Sequence, residues 1–253
     1  STVVAEPDES RRRELSELGL VSAPSAAEGL LALGHVELGV RSGPSGAIVL
    51  AIKPQMLSTV IESTPALSDT PRLVVSIMAG ATRESLGSAI PGGHRIARVM
   101  PNMPISIGKG MTAITEDPAL PPEDTRWIET LFNAGGDTIR IDESLMDAFT
   151  AVAGSGPAYL FYLAEAMERA AHSIGFDLPT ARRLVRQTIT GAASLMSGDD
   201  ADPASLRSAV TSRGVTTHAA CTTLDREGVM EAFTKALTAA RDRGRELSGA
   251  RPM

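Results

Sequence analysis

The sequence predicts a doubly wound α/β domain followed by an all-α domain. Two observations carry this. Short Val- and Ile-rich runs alternate with helix-compatible stretches as far as Ile141, and no β-run follows it. On a prior of about 150 residues per domain, a length of 253 residues suits one large domain or two modest ones. The division is expected at 142/143, giving domains 1–142 and 143–253.

Thr2–Glu6, Ala47–Ile52, Leu73–Met78 and Ile96–Met100 are the apolar runs, each bounded by Pro, Gly or polar residues. Continuous runs of this length predict strands buried on both faces of a parallel sheet. Ser10–Leu18, Gln55–Thr64 and Arg83–Ile90 read as the intervening helices. Met111–Ile114 and Thr138–Ile141 add strands around a helix over Glu123–Phe132, and Gly34–Gly46 reads as a long glycine-rich loop.

From Glu143 the apolar spacing becomes helical. Leu145, Met146, Phe149 and Val152 begin it, and Tyr159 to Ile174 continue it after a break at Gly154-Ser155-Gly156-Pro157. Further helices are expected near Pro179–Met196, Pro203–Val210, Thr217–Arg226 and Val229–Leu247. Helices so rich in Ala and Gly pack closely but carry few bulky groups. Burial against a second copy adds apolar area at ~25 cal/mol per Å2, so a homodimer is expected.

The composition, 43% hydrophobic and 21% charged, excludes wholesale disorder. The net charge is −6, with 12 basic and 17 acidic residues in 1–142 and 12 and 13 in 143–253. Neither half has a basic excess, so neither nucleic acid nor an anionic membrane is an expected partner. No apolar run approaches the ~20 residues of a membrane span, and no signal peptide is read at the start. One cysteine, Cys221, rules out an intrachain disulfide framework and fits a reducing, cytoplasmic setting. His35, His94, His172 and His218 lack metal-ligand spacing, so no metal site is expected.

Three segments are candidates for chemistry. In open α/β sheets, ligands bind beyond the carboxyl ends of the strands. Lys53-Pro54, Met78-Ala79-Gly80 and Met100-Pro101-Asn102-Met103-Pro104 are three such ends expected along one edge. Gly80 allows close backbone approach, and the Asn102 amide can both donate and accept. The second segment, Thr211-Ser212-Arg213-Gly214-Val215-Thr216-Thr217, leads into a helix whose N-terminal N–H groups suit a carboxylate or phosphate; an ordinary helix cap is the alternative. The third, Gly154 to Tyr159, admits either a close-approaching cofactor or helix, or a simple kink.

Five landmarks in order give the chain its resemblance to a known family: AIVLAIKPQML (47–57), LVVSIMAGAT (73–82), RVMPNMP (98–104), MDAFTAVAGSGPAYLF (146–161) and AVTSRGVTTHAA (209–220). Together they resemble Δ1-pyrroline-5-carboxylate reductase. The resemblance implies a Rossmann-type dinucleotide-binding domain followed by a helical dimerisation domain. It also implies reduction of the cyclic C=N bond of pyrroline-5-carboxylate to L-proline with NADPH or NADH, and dimers that assemble further, commonly into decamers. Carried onto this sequence, it places Thr217 as the catalytic hydroxyl at the ring nitrogen. Ser212, Gly214, Val215 and Thr216 fall around the substrate carboxylate, and Asp200 near the substrate. Ile52, Lys53, Pro54, Met78, Ala79 and Gly80 line the cofactor, with Asn102 and Pro104 on the nicotinamide side. Glu6, ending its strand, suits ribose hydroxyls and NADH, whereas Arg11 to Arg13 suit the 2′-phosphate of NADPH.

The sequence departs from the family pattern at three places. The opening TVVAEPDE resembles the family's second strand, so the first β–α unit with its G-x-G-x-x-G/A loop is expected to be missing from this sequence or lost. The Gly34–Gly46 loop is long. The family's Pro-Gly-Gly reads Arg213-Gly214-Val215, and strain is expected at Val215 if that position needs positive φ. β-Hydroxyacid dehydrogenases share the two-domain plan but place a lysine on the interdomain helix, where this chain has none: its lysines are Lys53, Lys109 and Lys235. The other reading is a non-catalytic oligomeric relative that has lost cofactor binding.

Overall fold

The computed structural model describes residues 2–34, 46–68, 70–198, 201–212 and 214–249. Compact packing divides the chain into two units, residues 1–154 with 241–253, and residues 155–240.

The first unit opens with β1 (Val3–Ala5), α1 (Glu9–Glu17), β2 (Val21–Ala23) and α2 (Ala26–Gly34). β1 and β2 pair in parallel, Val4 beside Ser22. Asp8 starts α1, its carboxylate accepting from the Ser10 and Arg11 N–H groups at 2.8 and 3.1 Å. β2 and α2 form where the sequence pattern predicts no element. Residues 35–45, most of the expected Gly34–Gly46 loop, lie outside the described residues.

A separate five-stranded sheet follows: β3 (Ala47–Leu50), β4 (Leu73–Ser76), β5 (Arg95–Met100), β6 (Gly110–Thr115) and β7 (Gly136–Ile141), paired in that order. Short helices α3 (Leu57–Glu62) and α4 (Arg83–Ala89) cross between the first three strands, and α5 (Pro122–Asn133) joins the last two. Thr82 caps α4 through a 3.1 Å bond from Ser85 N–H. β4 is buried at every position, as its LVVS run predicts.

Two features correct the sequence reading. β3 was expected to be buried on both faces, but Val49 is 41% exposed; among the described residues β4 is its one strand partner. β6 runs antiparallel to β5, Val99 opposite Ile114, so the sheet is not parallel throughout. The 3-10 turn Met103–Ile107 followed by left-handed Gly108 reverses the chain within a few residues. Gly110 completes that reversal, since a Cβ there would meet Ile105 Cα at 2.8 Å.

Leu73, Val75, Val99, Ile114, Ile128 and Phe132 form the core between the sheet and α5. Leu50, Val74, Met78 and Leu86 form a second cluster. After β7 come α6 (Met146–Phe149) and a π-helical turn, Thr150–Gly154. The last residues of α11 (Val229–Leu247) also belong to this unit.

The second unit contains α7 (Gly156–Ser173), α8 (Leu178–Leu195), α9 (Pro203–Ala209), α10 (Thr216–Arg226) and most of α11. Asp177 and Asp202 cap α8 and α9 through bonds from Thr180 and Ser205 N–H at 2.9 and 2.8 Å. Among its described residues, Ala181 and Val185 are the buried apolar ones. Leu160, Phe161, Tyr162 and Leu195 are exposed, Tyr162 to 76%. So large an apolar surface is what an oligomer covers.

Candidate active site

Register gathers three of the expected segments. Leu50 pairs with Ser76 and Ser76 with Arg98, so the carboxyl ends of β3, β4 and β5 share one edge of the sheet. Lys53 begins the turn after β3, its carbonyl accepting from Met56 N–H at 2.8 Å, with Pro54 in the first turn position. Its side chain is exposed and forms no ion pair among the described residues. Ile52 packs on the Leu50–Met78–Leu86 cluster.

After β4 the side chain of Met78 is buried in that same cluster, and its N–H donates to Ser76 Oγ at 3.3 Å. Ala79 is exposed and Gly80 takes φ +75°. The close approach that Gly80 permits is made by protein: a Cβ there would lie 3.3 Å from Leu247 Cβ and its main chain. A close approach was expected of this glycine for a ligand; among the described residues the approach it accommodates is that of the end of α11.

Past β5, Pro104 is half-buried in the 3-10 turn that Asn102 begins. The Asn102 amide, expected to face a ligand, is committed to the main chain. Its Oδ1 accepts from Met111 N–H at 2.9 Å, and its Nδ2 donates to the Ala153 carbonyl at 3.0 Å.

Glu6 follows β1 in the smaller sheet. Its Oε1 accepts from Asp8 N–H at 2.9 Å, and its Oε2 is 4.0 Å from Arg11 Nη1. Bonds from the Ser10 hydroxyl and from the Arg11 and Ser10 N–H groups hold the Asp8 carboxyl below its usual range. The three arginines differ in commitment. Arg12 donates to the Glu6 and Pro7 carbonyls, Arg13 pairs with Glu9, and Arg11 approaches the Glu6 carboxylate.

In the second unit, Gly214 takes φ +80° with open space around it. Val215 sits at φ −102°, an ordinary extended conformation, so the strain expected there is absent. Its N–H donates to the Ser212 carbonyl at 3.4 Å. The N–H groups of Thr216, Thr217 and His218 open α10 without an acceptor among the described residues, and no side chain caps the helix. Thr217 is half-buried, and its hydroxyl has no partner among the described residues. Asp200 and Arg213 lie outside the described residues.

Two groupings lay beyond the sequence reading. The Ala153 link was one, although Pro157 signals it: proline has no N–H for the carbonyl four residues earlier. The other surrounds Arg98, 2% exposed inside β5, whose Nη1 is 3.4 Å from Glu143 Oε1 and whose Nη2 is 3.6 Å from Asp147 Oδ1. Glu143 also accepts from the Arg83 N–H and Nε, both at 2.9 Å. Burial pushes its carboxyl up, but those bonds and the charges of Arg83 and Arg98 more than reverse this, leaving it below its usual range. Among the described residues, no group of His, Cys, Asp or Glu is placed to hold a metal, and no helix is long and apolar enough to cross a membrane.

The pyrroline-5-carboxylate reductase dimerisation family matches residues 143–247. A pyrroline-5-carboxylate reductase from Synechocystis sp. is 37% identical over 203 residues, covering 80% of this chain and 75% of that protein. The structure of a pyrroline-5-carboxylate reductase from Coxiella burnetii superposes with a TM-score of 0.83 at 30% identity, over 99% of this chain and 88% of that one. The Plasmodium falciparum pyrroline carboxylate reductase, solved with NADP bound, gives a TM-score of 0.76 at 26% identity, over 90% and 82%. The chain belongs to the pyrroline-5-carboxylate reductase family.

Proposed function

We propose that this protein reduces Δ1-pyrroline-5-carboxylate to L-proline, the last step of proline biosynthesis, using NADPH or NADH. The observation that carries the reading is the convergence of three parallel strand ends on one edge, in a chain with this family membership. In functional terms, residues 1–142 serve as the nucleotide-binding domain and 143–253 as the dimerisation and substrate-binding domain.

The described residues fit the two ends of a dinucleotide. Glu6, held by Asp8 N–H and with a side chain 22% exposed, is suited to ribose hydroxyls. The strand-end edge with Lys53, Ala79 and Pro104 is suited to the rest. A glycine-rich phosphate loop is not among the described residues. When bound, the reduced nicotinamide supplies the hydride. Glu6 and the anionic Asp8 disfavour a 2′-phosphate, while Arg13 is paired with Glu9 and Arg12 is tied to the Glu6 and Pro7 carbonyls, so NADH is the favoured donor.

At the start of α10, the N–H groups of Thr216, Thr217 and His218 bind the substrate carboxylate, helped by the positive end of the helix dipole. Thr217 Oγ1 hydrogen-bonds the ring nitrogen and relays a proton to it as carbon is reduced. Ser212, Gly214 and Val215 shape the turn that presents this helix end, and the family resemblance supports a role for Asp200 toward the substrate. Val215 is unstrained, which removes one motive for a non-catalytic reading.

The dimerisation match and the exposed apolar helices make the protein an oligomer. A homodimer is the proposed unit, and the family resemblance supports dimers stacked into a decamer. The single cysteine supports a cytoplasmic location. The reading is tested by mixing the purified chain with NADH or NADPH and synthetic pyrroline-5-carboxylate. Cofactor oxidation matched mole for mole by L-proline supports it, and a folded oligomer that binds neither cofactor overturns it.

A further inference from the structure

Asn102 opens the 3-10 turn Met103–Ile107, a position where asparagine ordinarily caps the turn with its own side chain. Here it makes no capping bond. Its amide instead reaches residues 9 and 51 positions away, accepting from Met111 N–H at 2.9 Å and donating to the Ala153 carbonyl at 3.0 Å.

The chain itself explains why Ala153 needs that donor. In a continuing α-helix its carbonyl accepts from residue 157, but residue 157 is proline and has no N–H. The next N–H, from Ala158, donates to Ser155 at 3.0 Å. Asn102 Nδ2 therefore satisfies a carbonyl that the local sequence leaves without a partner, inside a π-helical turn. π-Turns recur at functional sites. A planar carboxamide carries an NH2 donor group and a carbonyl acceptor on one rigid unit, so it can serve both partners at a fixed separation.

We propose that Asn102 is a positioning residue for hydride transfer: its amide locks the carboxyl end of β5 to the start of β6 and to the Thr150–Gly154 turn, fixing the Pro101–Pro104 main chain on the nicotinamide side. The proposal rests on the reductase reading above and adds a role that differs from ligand contact. The amide serves the main chain, and the effect on chemistry passes through the backbone it holds.

Asn102→Asp keeps the acceptor for Met111 N–H but turns a carboxylate oxygen toward the Ala153 carbonyl. Asn102→Ala removes both bonds. Pro157→Ala restores the missing N–H to the helix. Three readouts are taken on the 253-residue chain: cofactor binding by nicotinamide fluorescence, steady-state kcat and KM, and amide hydrogen exchange over residues 147–158 without ligand.

Asn102→Asp is expected to speed exchange in that segment and to lower kcat at least tenfold, with cofactor Kd within about threefold of wild type. Pro157→Ala in the Asn102→Asp background is expected to recover part of both losses. Faster exchange with kcat within twofold of wild type overturns the proposal, as does a loss of kcat that Pro157→Ala leaves untouched. A wild-type chain that never oxidises cofactor overturns the reductase reading instead; normal turnover in both wild type and Asn102→Asp overturns this proposal alone.

Discussion

The guanidinium of Arg98, inside β5, lies 3.4 Å from the carboxylate of Glu143, which follows β7. Glu143 also receives two bonds from Arg83, and Arg83 pairs in turn with Asp117. A charge buried in a sheet is tolerable only with partners, and removing one leaves the other uncompensated. Glu143→Gln is expected to destabilise the protein by about 2–3 kcal/mol in denaturant unfolding. This is less than the ~3–5 kcal/mol of a fully buried pair, because Glu143 is 26% exposed and Asp147 remains near Arg98. The Glu143 carboxyl lies below its usual range, so its contribution is complete above the unfolded value and is lost as pH falls through the lowered folded one. The variant's stability is therefore expected to fall less steeply in acid than that of wild type. Parallel acid limbs would contradict the assignment.

Gly80 joins a φ of +75° to a main-chain approach by Leu247. Alanine there meets both the left-handed penalty and a 3.3 Å contact. Gly80→Ala is expected to cost ~1–2 kcal/mol or more of stability, read from the unfolding midpoint. An unchanged midpoint would mean that the end of α11 is not held against this turn.

Cofactor preference turns on Glu6. Glu6→Gln removes a negative charge beside Arg11 while leaving an oxygen for Asp8 N–H. The ratio of kcat/KM for NADPH to that for NADH is expected to rise about tenfold, equivalent to ~1.4 kcal/mol of relieved repulsion. Arg11→Ala should move the ratio the other way. A ratio unmoved by either change would place the ribose elsewhere.

Thr217→Ala removes a hydroxyl that has no structural partner among the described residues. Folding stability is expected to change by less than ~0.5 kcal/mol, since no bond is lost. The value of kcat/KM for the imine should fall about 10²-fold or more, with cofactor Kd unchanged. An unaltered rate would remove Thr217 from the proton path.

Much of this architecture is legible in the residues. LVVS and IARVM are short Val- and Ile-containing runs of the kind that strands buried in a sheet carry, and the structure places them there. Asp177 and Asp202 announce the helices that they cap. β2 is three residues of VSA, too short for any period to show, and α2 is AAEGLLALG, whose glycines weaken the helical signal. The direction of β6 depends on a turn built by Gly108 and Gly110 rather than on the apolar run itself. At the candidate site, the lysine, glycine and proline at the strand ends were readable because punctuation residues mark where strands stop. The work of Asn102 was not, because its partners are remote in sequence and composition records only that an amide is present.

Transfer of the hydride itself gives the most direct test. With pyrroline-5-carboxylate and reduced cofactor carrying deuterium at both C4 positions of the nicotinamide, the protein should yield L-proline carrying one deuterium at C5, with one mole of cofactor oxidised per mole formed. Proline without deuterium, or cofactor oxidised without proline, would contradict the account.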